Sequence, residues 1–378
     1  MSEIQVGQIN STDGSTAITT GADGYVSFAK TQIGGRRNLI INGAMQVAQR
    51  GTSATGFTST GFRTCDRFRT SLFSLGTWNE EQSTDAPDEF ASSFKVTCTS
   101  PTGTLAAGDF GYIRYMFEGN ELQGLAYGTS SAKAMTLSFW VKSNKTGSAS
   151  VQLLQNDNSS KNISPSYTIS SADTWEYKTI SIPADTAGSI DNDNGPAVSL
   201  IWWLHSGTTF TGGSNQTTWA TYDATDSNAS NLGVGATAND YFQITGVQLE
   251  VGSVATPFEH RSFGEELQLC KRYFHRWGGD NTMGGHPMFN GGGNWATTVY
   301  HFPVEMRGGP SASITNNGMF YYENGGTRSS SPSSPSISEN TKQYIRFDMN
   351  SLAASATQGY AGGLYFGSTD YVDLDAEL

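Results

Sequence analysis

The stretch "KAMTLSFWVKS", Lys133–Ser143, sets Met135, Leu137, Phe139 and Val141 on one face and Thr136, Ser138 and Trp140 on the other. A period of two over a run rich in β-branched and aromatic residues is the pattern of a half-buried strand. The same texture continues on both sides. "ASVQLLQN" follows across the turn "NKTGS". "TWEYKTISIP" alternates through Trp175 and Tyr177, then changes parity toward Ile180 and Ile182, as a bulge would produce. "AVSLIWWLHSG" sends Val198, Leu200, Trp202 and Leu204 one way and Ile201 and Trp203 the other, so it should be central or covered by a loop. "DYFQITGVQLEVGS" closes the set, with Gly246 inside the alternation. Upstream, "NLIINGAMQVAQRGT", Asn38–Thr52, reads as a short strand, a tight turn at Asn42-Gly43 and a second short strand. Many short strands with polar loops between them predict an all-β chain built on an antiparallel, jelly-roll-like sandwich over residues 38–262.

The flanks differ. Residues 1–37 hold small fragments such as "IQVGQIN" and "GYVSFAKT", none able to bury a core alone, and read as an attachment or oligomerisation segment. "GEELQLCKRYFHRW" predicts a linking helix over 263–277, with Glu265 and Glu266 near its start and Leu267, Cys270, Phe274 and Trp277 as its apolar stripe. Residues 278–378 return to strand texture as a smaller β-rich domain. Within it, "GGTRSSSPSSPSISENT", residues 325–341, reads as a long exposed loop.

Only 15% of the residues are charged, and 34 Asp and Glu against 22 Lys and Arg give a net charge of -12. With no basic track for a phosphate backbone, nucleic acid is not an expected partner. No apolar run of 18 residues occurs and no signal-peptide pattern opens the sequence, so neither membrane insertion nor ordinary export is expected. Cys65, Cys98 and Cys270 are too few and too odd in number for a disulfide framework and read as buried reduced thiols, with a Cys65–Cys98 bridge as the alternative.

Catalytic patterns are missing: no G-x-S-x-G, P-loop, G-x-G-x-x-G after a strand or H-E-x-x-H. The five histidines are dispersed, and His275 beside Arg276 reads as a surface or subunit-contact residue. Asp191, Asp193 and Gly195 read as an Asp/Asn-rich turn rather than a calcium loop. No metal, no cofactor and no catalytic residue is expected. The functional lead is aromatic residues in polar loops. "TTFTGGSNQTTWATYDATDSNAS" carries Trp219 and Tyr222 near Asp223 and Asp226, and an aromatic face with carboxylates beside it suits stacking on a sugar and bonding its hydroxyls. The competing reading is a Trp that folds back to cap the sandwich edge. Trp277, Tyr321 and Tyr322 have similar surroundings.

Three stretches resemble a domain common in tail fibres and other virion proteins of tailed bacteriophages, especially marine ones. They are "NLIINGAMQVAQRGT", "ITGVQLEVGSVATPFEHRSFGEELQLCKRYF" (Ile244–Phe274) and "HFPVEMRGGPSASI" (His301–Ile314). The resemblance implies a sandwich similar to carbohydrate-binding modules, a homotrimer, and attachment to other virion proteins through residues 1–37. It also implies a virion location, with assembly in a host cytoplasm and release by lysis. The combined expectation is a non-enzymatic virion protein, a tail fibre contacting host-surface glycans. The alternatives are a capsid fibre or adaptor without a ligand, and a glycan-cleaving enzyme of the tailspike kind.

Overall fold

In the computed structural model of the chain, the residues described are 8–10, 16–20, 26–28, 36–157, 160–279, 283–285, 287–290, 295–316, 320–323, 326–328, 334–350 and 362–378. They form two compact units, Met1–Gln46 with Thr52–Arg261, and Val47–Gly51 with Ser262–Leu378. Every strand pairing among them is antiparallel, so the all-β expectation holds.

Three short strands open the first unit: β1 (Gln8–Asn10), β2 (Thr16–Thr20) and β3 (Val26–Phe28). They pair in the order β1-β2-β3, so these fragments find partners in one another within one chain. Ile4 and Val6 lie outside the described residues.

The sandwich follows, with β4 (Ser53–Phe57), β5 (Arg69–Phe73), β6 (Thr77–Ser83), β7 (Ser93–Ser100), β8 (Phe110–Glu118), β9 (Met135–Ser143) and β10 (Gly147–Gln155). Then come β11 (Lys161–Ile163), β12 (Ser166–Ile169), β13 (Glu176–Ile182), β14 (Pro196–Ser206), β15 (Ala220–Thr221) and β16 (Tyr241–Val251). One sheet runs β15-β11-β10-β14-β8-β5, with β12 also on β10; the other runs β13-β9-β16-β7-β6-β4. Their inner faces share one core. Ile113, Tyr115, Val151, Leu153, Leu200, Trp202 and Leu204 come from the first sheet; Trp78, Phe94, Val96, Leu137, Phe139, Val141, Phe242 and Ile244 come from the second. Phe139 meets Trp202 edge to face across the layers, ring centroids 5.8 Å apart, and Phe68 packs against Phe94, Tyr115 and Trp202 at the same centre. Cys65, Cys98 and Cys270 are buried free thiols, so Cys65 and Cys98 do not pair.

As its two-sided pattern requires, β14 lies between β10 and β8. Its outer face is covered by the long loop that follows it. Phe210 of that loop packs on Phe110 and Trp203, at 5.6 and 5.3 Å, while Gln152 accepts from the Trp203 indole and donates to Ser227.

Residues 38–52 contain no strand, against expectation. Asn42 does take a left-handed φ of 62°, but Met45 is the second such residue, at 56°, in place of Gly43. The segment is held by side chains instead of a ladder. The Asn38 side chain donates to Val247 O and accepts from the Ile40 and Leu249 amides, and Ile41 N donates to the Tyr115 hydroxyl. The closing motif grips the same residues. Glu259 accepts from the amides of Arg37 and Asn38, and Arg261 donates to the carbonyls of Asn38 and Ile40. Burial alone would raise the Glu259 pKa; the donations from Asn38 and Arg37, with Arg261 beside it, outweigh that and hold the carboxyl below its ordinary range. Gly43 sits so close to β16 that a Cβ there would lie 2.1 Å from Val247 O. The two ends of the sandwich sequence are therefore locked by polar groups, which strand periodicity does not report.

The second unit begins with α1 (Phe263–Lys271), capped by Ser262, whose hydroxyl accepts from the Glu265 amide. The expected helix to 277 is a correction: Phe274–Gly278 is β17. The run "YFHRWG" favours extended backbone and finds a ladder partner, so tertiary pairing prevails over the helical stripe. Next come β18 (Met283–Gly285), β19 (Met288–Asn290), β20 (Trp295–His301), β21 (Ser311–Thr315), β22 (Phe320–Glu323) and β23 (Gly326–Arg328). The last four are β24 (Ser334–Asn340), β25 (Tyr344–Asn350), β26 (Gly362–Tyr365) and β27 (Tyr371–Asp375). Three small sheets, β17-β27-β21, β18-β26-β22-β23 and β19-β20-β25-β24, surround a core that includes Trp277, Ile345, Phe347, Leu364, Phe366 and Val372. β24 corrects the long-loop reading of 325–341. It is an edge strand, where Pro335 and alternating serines are compatible with pairing.

His275 is also a correction, being 5% exposed rather than on the surface. Its Nε2 meets the Tyr300 hydroxyl at 2.5 Å, and its Nδ1 is buried with no partner. Burial, with the positive charge of Lys271 second, pushes the imidazole down from 6.5 to about 4. A base depressed in the folded state stabilises fully above its unfolded pKa and loses that contribution as pH falls from 6.5 toward 4, here by about 3 kcal/mol at most. The urea midpoint of this unit should therefore fall more steeply between pH 6.5 and 4.5 in the native protein than in His275→Gln. Equal slopes would remove His275 as the cause.

Candidate functional site

Trp140 and Tyr177 face each other on the outer side of the second sheet. β13 pairs β9 in an unbroken register that sets Tyr177 opposite Trp140 and Ile180 opposite Leu137. The parity change in "TWEYKTISIP" is therefore not a bulge. Tyr177 points outward while Ile180 and Ile182 point into the core, and the two rings lie 5.4 Å apart. The bulge is in β16, between Thr245 and Gln248, where Gly246 has φ 60°. This leaves an opening above Ser138, Trp140 and Gly246.

Two segments wall it. On one side stand Glu89 and Phe90, on the other Ala255, Thr256, Pro257 and Phe258, enclosing a cleft of about 500 Å³. Phe90 and Phe258 meet edge to face at 5.0 Å, with His260 packed on both. Both walls are fastened. Asp85, at the base of the first, accepts from Lys142 Nζ at 2.8 Å and from the Trp175 indole, and its backbone carbonyl accepts from Ser93. In the second, the buried Glu250 carboxylate accepts from the Thr256 amide and hydroxyl and from Gln248, which in turn accepts from the Glu259 amide. A pocket held this way loses little conformational entropy on binding.

The lining is mainly aromatic with a few polar groups. Among the described residues the Trp140 indole N–H, the Tyr177 hydroxyl and the Ser138 hydroxyl have no hydrogen-bond partner. Tyr177 is 44% exposed. Aromatic faces beside unused donors and acceptors suit a ligand that is apolar on one face and hydroxylated at its edges.

The loop residues expected to bind are placed elsewhere. Trp219 donates its indole N–H to Pro183 O, packs against the sandwich core and meets Tyr127 edge to face at 5.8 Å, so it caps the sandwich edge rather than offering a free platform. Tyr222 is 38% exposed. Asp223 caps a short 3-10 turn, accepting from the Thr225 amide and hydroxyl, and these donations hold its carboxyl below the ordinary range. Asp226 accepts from the Ser214 amide and from Gln216. Both carboxylates are thus committed to shaping the loop. Trp277 is core in the second unit, stacked on Tyr300 at 4.4 Å. The side chains of Tyr321 and Tyr322 lie outside the described residues. Asp193 accepts from the Gly195 amide in a turn, and among the described residues no group of three or more His, Cys, Asp or Glu is arranged to hold a metal ion.

No protein-family model matches the chain, and no curated protein matches it in sequence. Among solved structures it is similar to the enzymatically active domain of bacteriophage CBA120 tailspike protein 4, at 12% identity and TM-score 0.29. That alignment covers 57% of this chain and 21% of the tailspike chain, so the chain spans about a fifth of that protein's length. It is also similar to TmCBM61 solved with β-1,4-galactotriose, at 8% identity and TM-score 0.30 over 57% of this chain and 99% of that one. A family 11 carbohydrate-binding module from Clostridium thermocellum, solved with a mixed-linked tetrasaccharide, aligns at 13% identity and TM-score 0.28 over 55% of this chain and 99% of the module.

Proposed function

We propose that the chain is a non-enzymatic virion protein whose sandwich contacts a host-surface glycan through the cleft at Trp140 and Tyr177. The observation that carries this is the cleft itself: four aromatic side chains around an opening of about 500 Å³, with indole and hydroxyl groups that have no hydrogen-bond partner among the described residues. The virion assignment, the homotrimer and attachment through residues 1–37 rest on the resemblance of Asn38–Thr52 and Ile244–Phe274 to tailed-phage proteins. Single-site affinity for a sugar held by stacking and a few hydroxyl contacts should be weak, and three linked copies would raise it by avidity.

Trp140→Ala should weaken binding to host polysaccharide at least tenfold, the equivalent of about 1.4 kcal/mol, because the stacking surface and a hydrogen-bond donor both go. The core beneath keeps Leu137, Phe139 and Val141, so the urea midpoint should move little. Calorimetry on the native protein and this variant reads the effect. Unchanged affinity in Trp140→Ala and in Tyr177→Ala would overturn the assignment.

A further inference from the structure

The cleft carries one charged lining residue, Glu89. Asp88 precedes it in "DAPDEF", so the wall from the β6–β7 connection is acidic where it meets solvent. Four basic side chains near the cleft have protein partners. Lys142, two residues beyond Trp140 on β9, is held by Asp85 at 2.8 Å. Lys95 is held by Glu81 at 2.8 Å. Arg261 is engaged with Glu259 and with the Ile40 and Asn38 carbonyls of the opening segment, and Arg37 lies 4.0 Å from Glu259 and donates to the Thr256 hydroxyl and the Pro257 carbonyl in the cleft wall. A ligand carboxylate entering the cleft would therefore meet Glu89, while Lys142, Lys95, Arg37 and Arg261 already hold protein partners.

We infer that this cleft selects its sugar by charge, taking a hexose that bears a protonated amine and disfavouring uronic and sialic acids, with Glu89 as the specificity-determining residue. The inference rests on the cleft being a sugar site. An ammonium held against Glu89 gains from the carboxylate and from the aromatic faces of Trp140 and Phe90, which attract cations through their ring quadrupoles. Glu89 adds no obligatory contact for a neutral sugar, so its effect is on discrimination rather than on binding as such. Its backbone, at φ 78°, lies in a turn in which the Phe90 amide donates to Pro87 O, and this fixes where the side chain leaves the chain.

The test is calorimetry of the full chain with methyl β-glucosaminide, methyl β-glucoside and methyl β-glucuronide at pH 6.5 and low salt. The amine should bind about tenfold more tightly than the neutral sugar and the acid several-fold more weakly, with the spread narrowing in 0.5 M salt (on the order of a 4 Å Debye length). Glu89→Gln should bring the three affinities together, while Trp140→Ala should weaken all three. Trp140-dependent binding with equal affinities, or an amine preference that survives Glu89→Gln, would overturn the charge selection and leave the sugar site standing. Binding of none of the three, with host polysaccharide also unbound, would overturn both.

Discussion

Asn38→Ala should lower the stability of the sandwich by about 3–5 kcal/mol, although it removes no apolar contact of note. Asn38 is 1% exposed, and its side chain satisfies Val247 O, Ile40 N and Leu249 N at 3.0, 2.9 and 3.1 Å. Truncation leaves three buried backbone groups without those partners, each costing on the order of 1–3 kcal/mol, with partial relief from entering water. The loss should appear as a lower urea midpoint with an unchanged slope. Asn38→Asp keeps the acceptor for the two amides but sets a second oxygen against Val247 O, so it should recover only part of the stability. A change below 1 kcal/mol in Asn38→Ala would show that the opening segment does not lock the sandwich.

Gly246→Val should abolish ligand binding, by fifty-fold or more, at a cost of about 3 kcal/mol in stability. Gly246 holds φ 60°, a conformation that costs a residue with a Cβ roughly 1–2 kcal/mol and a β-branched one more. A Cβ there would lie 2.7 Å from Phe90 Cζ and 3.0 Å from Trp140 Cδ1. The rings must part, and overpacking of this kind costs about 1–3 kcal/mol. The added methyls then occupy the floor of the opening. Calorimetry on a variant shown to be folded by its unmoved near-UV spectrum reads the result. Native-like affinity in Gly246→Val would mean that the ligand does not enter between Trp140 and Phe90.

The architecture was readable where burial on one face imposed a period of two. Met135–Val141 and Val198–Leu204 are core as their alternation requires, and the double-sided β14 is both central and covered. What periodicity missed is held by polar groups. Asn38–Thr52 has the apolar content of a strand, yet its hydrogen bonds go to Asn38, Tyr115, Glu259 and Arg261, two of them more than 200 residues away in sequence. Phe274 and Trp277, three residues apart, share a face only on a helix, and in β17 they fall on opposite faces; the pairing with β27 overrides the helical stripe. The cleft was partly visible. Trp140 stood on the outward face of its strand, and Tyr177 broke the parity of its own, which resembles a bulge unless the neighbouring register is known. Phe90 and Phe258 come from connections far apart in sequence, and nothing local brings them together. Trp219 lies in a polar loop, but a Trp there gains more from burying its rings on the sandwich than from solvent.

The account is tested most directly by the indole N–H signals of the eight tryptophans in nitrogen-15-labelled protein titrated with oligosaccharides from the host surface. The Trp140 signal, assigned through its loss in Trp140→Phe, should shift in a saturable way while those of the inward-bonded Trp203 and Trp219 stay in place. A saturable shift at Trp219 with none at Trp140 would contradict the account.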